Sequence, residues 1–221
     1  MIMSKTLYVI NPNSNTDVTA GIDAALDPLR SADAPRIECV TLAEGPRGIQ
    51  TQDDVDRAAV LVRRFAEEHR QQAAGFVTAC FSDPGLHSIR EIPDVLSLGI
   101  SECGVLTAMT MGLRLGVIAI LDISIPRHLR TWAAMGVQDR VVGELAIGRT
   151  VAELADSEAT LEAMIRTGKA LRDTHRADVL VMGCAGMAPY RQRLQDAVGL
   201  PVVEPTQAAV SMALGRLRLG W

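Results

Sequence analysis

Aromatic residues make up only 3% of this 221-residue chain. That scarcity removes the stacking platforms on which single-stranded nucleic acids are held. Charge of either sign is not in excess. A net charge of −4 with acidic and basic residues interspersed leaves no cationic footprint for a polyphosphate, so nucleic acid is excluded as a partner. No apolar run approaches the roughly 18–20 residues that cross a membrane. Met1 to Lys5 show neither the apolar core nor the cleavage site of a secretion signal. Cysteines are few: Cys39, Cys80, Cys103 and Cys184. They lack the short C-x₂₋₄-C spacing of a structural zinc site, and no metal is expected. Free thiols and a cytoplasmic location are the expectation.

What is present suffices for a core without staples: 48% apolar and 22% charged residues. Short apolar runs at Leu7–Ile10, Arg36–Leu42, Gly75–Ala79 and Val95–Ile100 alternate with helical patterns. Those patterns cover Thr16–Arg30, capped at Ser14 or Asn15, and a long stretch from Thr51 to about Arg70. A short helix near Leu86–Glu91 and one holding Cys103 to Met111, capped by Ser101, complete the first half. The second half runs in the same order. Strands are predicted at Leu115–Leu121, at Val141–Ile147 as an edge, at Val179–Met182 and at Pro201–Val203. Helices are predicted from Ser124–Pro126 to Met135, from Ser157 to His175, from Pro189, and from Thr206 to Leu217.

The order is a repeat. Val77-Thr78-Ala79-Cys80-Phe81-Ser82-Asp83-Pro84-Gly85 returns 104 residues later as Val181-Met182-Gly183-Cys184-Ala185-Gly186-Met187-Ala188-Pro189. Strands alternating with helices predict an α/β fold with mostly parallel sheets covered on both faces. A repeat of this length predicts two pseudo-symmetric α/β domains. One is residues 1–100 with the C-terminal helix at about 206–221, and the other is 101–205. Ligands in such sheets sit beyond the carboxyl ends of the strands, so Cys80 and Cys184 are predicted to face each other across an interdomain cleft.

Two thiols on opposite sides of a flat carbon acid form a two-base proton-transfer device: one removes the α-proton and the other returns it to the opposite face. Each precedes a predicted helix start, where the dipole and free N–H groups favour a thiolate, so depressed pKa values are expected. The N–H groups after each cysteine, with the small Ala185 and Gly186 allowing close approach, are expected to hold the enolate. Cys39 and Cys103 have no echo and read as packing.

Ile10-Asn11-Pro12-Asn13-Ser14, Ala79-Cys80-Phe81-Ser82-Asp83-Pro84-Gly85-Leu86 and Gly183-Cys184-Ala185-Gly186-Met187 together resemble the hydantoin racemase family of the aspartate/glutamate racemase superfamily. The resemblance spans nearly the whole chain. It implies a cofactor-independent racemase with catalytic Cys80 and Cys184, acting on 5-substituted hydantoins or the ureide allantoin. Amino-acid racemases of the superfamily carry Asn-Thr after the first cysteine, and Thr then His or Glu after the second. Here Phe81-Ser82 and Ala185-Gly186 stand there, with no charged group for a zwitterion, so a neutral cyclic imide or ureide is expected. The hydroxyls that follow the strand opening the second half in that family are replaced by Ala119-Ile120-Leu121-Asp122, with Ser124 the nearest.

Substrate contacts are expected from Asn11, Ser14, Phe81, Ser82, Ala185 and Gly186. Asn11, Ser14 and Ser82 also read as turn or cap residues, and Asp83 as a turn residue. His87 and His128 follow cleft-side loops but are not needed as bases beside two thiols. The remaining readings are an amino-acid racemase or another superfamily isomerase or decarboxylase, and a two-lobed binding protein without chemistry. The apolar helices near Val105–Met111 and Val210–Leu217 suit either core or a subunit interface, and a homo-oligomer is expected.

Overall fold

The computed structural model describes residues 5–221. Residues 1–4, part of the stretch read as lacking a secretion signal, lie outside them. The first half runs β1 (Thr6–Asn11), α1 (Thr16–Ala25), β2 (Arg36–Thr41), α2 (Gln52–His69), β3 (Ala73–Thr78), α3 (Leu86–Ile89), β4 (Leu96–Gly99) and α4 (Ile100–Ala108). The second runs β5 (Leu115–Ala119), α5 (Ile125–Met135), β6 (Val141–Ala146), α6 (Ser157–Asp173), β7 (Val179–Met182), α7 (Arg191–Val198), β8 (Val202–Val203) and α8 (Pro205–Leu219). Each half builds one four-stranded sheet, ordered β2-β1-β3-β4 and β6-β5-β7-β8. Every pairing in both is parallel.

The predicted repeat is therefore one topology written twice. The inner strands are its rigid parts. Leu7, Ile10, Val77, Leu115, Val117, Val179 and Val181 are wholly buried, each contributing roughly 1.5–3 kcal/mol of transfer free energy. The edge strands β2 and β6 are only half covered.

The two halves exchange a helix. α4 leaves β4 and packs on β7 and β8, while α8 leaves β8 and packs on β3 and β4. The two helices also pack on each other, close enough that a Cβ on Gly104 would stand 3.0 Å from Pro205. Cys103, Ala108, Ala208, Ala209 and Ala213 join one apolar cluster with strand residues of both sheets. On this packing we propose the lobe boundary near residue 100, with α8 returning to the first lobe.

Several helix ends differ from the sequence reading. The first helix stops at Ala25, and a 3₁₀ turn follows through Asp27–Leu29 with Pro28 inside it, because proline cannot donate to the preceding turn. Asn15, not Ser14, caps α1. Thr51 caps α2 in a reciprocal box with Asp54. Asp156 rather than Ser157 caps α6. The stretch after Cys184 is a 3₁₀ helix, Ala185–Tyr190, and α7 begins at Arg191. Among the described residues, no helix is long and apolar enough to cross a membrane.

Candidate active site

Cys80 and Cys184 leave their sheets in the same way. The Ala79 N–H donates to the Ile10 carbonyl at 2.8 Å, and the Gly183 N–H donates to the Ile118 carbonyl at 2.8 Å. Each bond ties a cysteine loop to the central strand of its own sheet. Both thiols then line one cleft between the lobes, with Ala79, Phe81, Ser82, Gly183, Ala185 and Gly186. Val18 closes it from α1, which packs across the gap on the 3₁₀ segment after Cys184. The cleft encloses only about 30 Å³, room for about one or two water molecules. A larger space of about 530 Å³ adjoins it past Val18, Val151 and Gly186.

The expectation of acidic thiols is overturned. Burial pushes Cys80 up to about 12, with the opposing Cys184 and Asp83 raising it further against one N–H bond from Ser82. Burial pushes Cys184 up to about 11, with Glu204 raising it and the Gly186 and Met187 N–H groups lowering it. The short helices after each cysteine do not offset this desolvation. Of the N–H groups after each cysteine, Asp83 donates to the Cys80 carbonyl at 2.9 Å and Met187 to the Cys184 carbonyl at 3.1 Å.

Two buried carboxyls flank the thiols, and both are helix caps. Asp83, at φ 45°, accepts from the Ser101 N–H at 2.9 Å and the Glu102 N–H at 3.0 Å. Gly99 is required there, since a Cβ would stand 2.2 Å from the Asp83 carboxyl carbon. Glu204 accepts from the Thr206 N–H at 3.0 Å and the Gln207 N–H at 2.6 Å. These carboxylates, not Ser101 or Thr206, cap α4 and α8. Burial raises the Asp83 carboxyl to about 7 and raises Glu204 as well.

Of the expected contact residues, Phe81, Ser82, Ala185 and Gly186 line the cleft. Asn11 does not. Its amide donates to Asn13 Oδ1, the Asn15 carbonyl and Thr19 Oγ1, and its Oδ1 accepts from the Asn13 N–H, so it pins the turn. Ser14 lines the adjoining space instead. The residue between them, Asn13, reaches the cleft. Its Oδ1 is held by Asn11 and by the Asn15 N–H, while its NH₂ has no hydrogen-bond partner among the described residues.

Sequence reading missed Arg127 on the wall that α5 presents to Cys80, although it placed His128 after a cleft-side loop. Arg127 and His128 both line the cleft. Arg127 Nε donates to Ser82 Oγ at 2.9 Å, and Nη2 donates to the Gln50 carbonyl at 3.3 Å. His128 Nδ1 lies 2.6 Å from Glu144 Oε1, both side chains almost wholly buried. The other ring nitrogen, Nε2, meets Ser82 Oγ at 3.4 Å. Phe81 packs edge-on against the imidazole, centroids 5.2 Å apart. Ser124, also on the cleft, donates its Oγ–H to the Leu121 carbonyl at 2.8 Å. His87 is exposed and does not line the cleft. Amphipathic periodicity on α5 was the one available signal: Arg127, His128 and Trp132 share its buried face.

Comparison with known proteins agrees with this architecture. The family model for Asp/Glu/hydantoin racemase matches residues 7–213. A hydantoin racemase from Rhizobium meliloti is 31% identical over 97% of this chain and 90% of its own length. One from Pseudomonas sp. (strain NS671) is 30% identical over 97% of this chain and 86% of its own. Among solved structures, an allantoin racemase from Klebsiella pneumoniae superposes with a TM-score of 0.91 at 28% identity, covering 98% of this chain and 89% of that one. The chain belongs to the Asp/Glu/hydantoin racemase family.

Proposed function

We propose that this protein is a racemase of 5-substituted hydantoins or closely related ureides, working by two-base proton transfer between Cys80 and Cys184 without a cofactor. The observation that carries the reading is the pair of thiols, brought from equivalent strand ends to line one cleft.

One thiolate takes the proton from C5, and the electron pair left on carbon delocalises into the C4 carbonyl as an enolate. The opposite S–H delivers its proton to the other face of C5. One C–H bond breaks, another forms, and the two sulfurs exchange protonation states. The Asn13 NH₂ is the donor we assign to the enolate oxygen, since Asn13 lines the cleft and its NH₂ has no hydrogen-bond partner among the described residues. The raised thiols make strong bases once ionised.

The test is an enantiopure 5-substituted hydantoin or allantoin in D₂O. Optical activity should decay with uptake of deuterium at the stereocentre. Full activity in both Cys80→Ser and Cys184→Ser would end the proposal.

A further inference from the structure

The α5 wall bears on what the cleft holds, and the inference rests on the racemase reading above. Arg127 is 8% exposed, and a buried cation without a counter-charge is costly. The two acids that act on it are both occupied: Asp54 caps α2 and Glu144 holds His128. No residue lining the cleft is an acid. The guanidinium is held on one edge by Ser82 Oγ and the Gln50 carbonyl. Its Nη1 amine has no hydrogen-bond partner among the described residues. Glu144, His128 and Ser82 in turn fix that edge. The result is a positioned cation on the cleft with an open fork.

Among the charges that act on Arg127, a Cys80 thiolate is the foremost. On the thiol itself, Arg127 is the weakest of the named influences, behind burial, the Ser82 N–H, Cys184 and Asp83, and no hydrogen bond joins the two among the described residues. The open fork suits a planar carboxylate, to which guanidinium binds in bidentate fashion. An amino-acid zwitterion would also need an acid for its ammonium group, and the cleft lining has none.

We propose that Arg127 is an anion-binding residue of the cleft, and that the substrate is a hydantoin or ureide carrying a carboxylate on the substituent at its stereocentre, rather than a neutral one. Ser82 and His128 are positioning residues for it.

The experiment uses a matched pair at pH 8: enantiopure hydantoin-5-acetate, anionic, and 5-methylhydantoin, neutral. Deuterium exchange is followed in the wild-type protein and in Arg127→Gln and Arg127→Lys, with calorimetric binding of both compounds alongside. The wild type should favour the carboxylate compound at least tenfold in kcat/KM. Arg127→Gln should lower that ratio tenfold or more, chiefly through KM, and Arg127→Lys should restore part of it. Wild-type preference for the neutral ring overturns the proposal whatever the variants do. So does an equal loss on both compounds in Arg127→Gln, which would assign the guanidinium to the Cys80 thiol. Tighter wild-type binding of the carboxylate compound without any exchange would sink the racemase reading and leave the anion site standing. Acidic amino acids exchanged in preference to either hydantoin overturn the substrate class.

Discussion

The Cys80 wall and the Cys184 wall grow from the same strand-turn pattern, yet they present different chemistry. Each thiol follows the third strand of its sheet and each loop is tied to the central strand by a 2.8 Å bond. Beyond that the match ends. Cys80 has a polar neighbourhood of Ser82, Arg127 and His128. Cys184 has small or apolar neighbours: Ala185, Gly186 and Val18. The helix caps differ in the same spirit. Asp83 reaches α4 from the cysteine loop, whereas Glu204 caps α8 from the residue preceding it. Duplication brings a thiol to each wall of the cleft, and divergence sets different side chains around each one.

The sharpest break of that comparison removes one thiol at a time. Cys80→Ser and Cys184→Ser should each cut racemisation by on the order of 10²–10⁴-fold, the usual worth of a positioned acid or base. Each variant should still wash deuterium into one enantiomer only, the one whose α-proton faces the surviving thiol. Mass spectrometry on separated enantiomers reads this. Exchange into both hands from a single-cysteine variant would contradict the two-wall arrangement.

The acidity of the two walls is the next contrast. Both thiols must ionise from raised values, about 11 for Cys184 and about 12 for Cys80. The free-enzyme kcat/KM should therefore climb with pH beyond 10. Iodoacetamide should label Cys184 before Cys80 as pH rises. A plateau below pH 8, or the reverse order of labelling, would show that the opened cleft lowers one thiol selectively.

The two carboxylate caps set up a smaller comparison. Asp83→Ala and Glu204→Ala should each cost about 1 kcal/mol of stability, as lost N-caps do, with melting temperatures about 2–4 °C lower. Because burial holds Asp83 at about 7 against an ordinary 3.8, the native state retains a proton that the unfolded chain has released between those values. Stability should then fall as pH rises from about 4 to about 7, and Asp83→Asn should flatten that slope in thermal melts. The smallest effect belongs to Cys103, buried where α4 meets α8. Cys103→Ala should cost about 1 kcal/mol and leave racemisation at the wild-type rate, a null result in activity that separates packing thiols from reacting ones.

Much of this molecule is legible in its residues. The apolar runs at Leu7–Ile10, Gly75–Ala79 and Val179–Met182 fall on inner strands, because a strand buried on both faces has to be apolar along its length. The duplicated cysteine turns place both thiols at strand ends, since connections in a parallel sheet emerge there. Asn11 and Ser14 were near misses around Asn13. The strand end and the turn were readable, but which of the three amide or hydroxyl groups the turn would consume internally was not.

Linear order alone thus determined the doubled α/β scaffold and the meeting of its two cysteines, because period, turn chemistry and strand topology are local or repeated properties. Only tertiary structure decided the acidity of the thiols and the charge of the wall beside them. Arg127, His128 and Glu144 come from α5 and β6 to meet Ser82 from the other half of the chain. Desolvation, which raises both thiols, exists only once two lobes have closed around them. No spacing rule reaches across such a distance, and no local pattern reports how dry the meeting place will be.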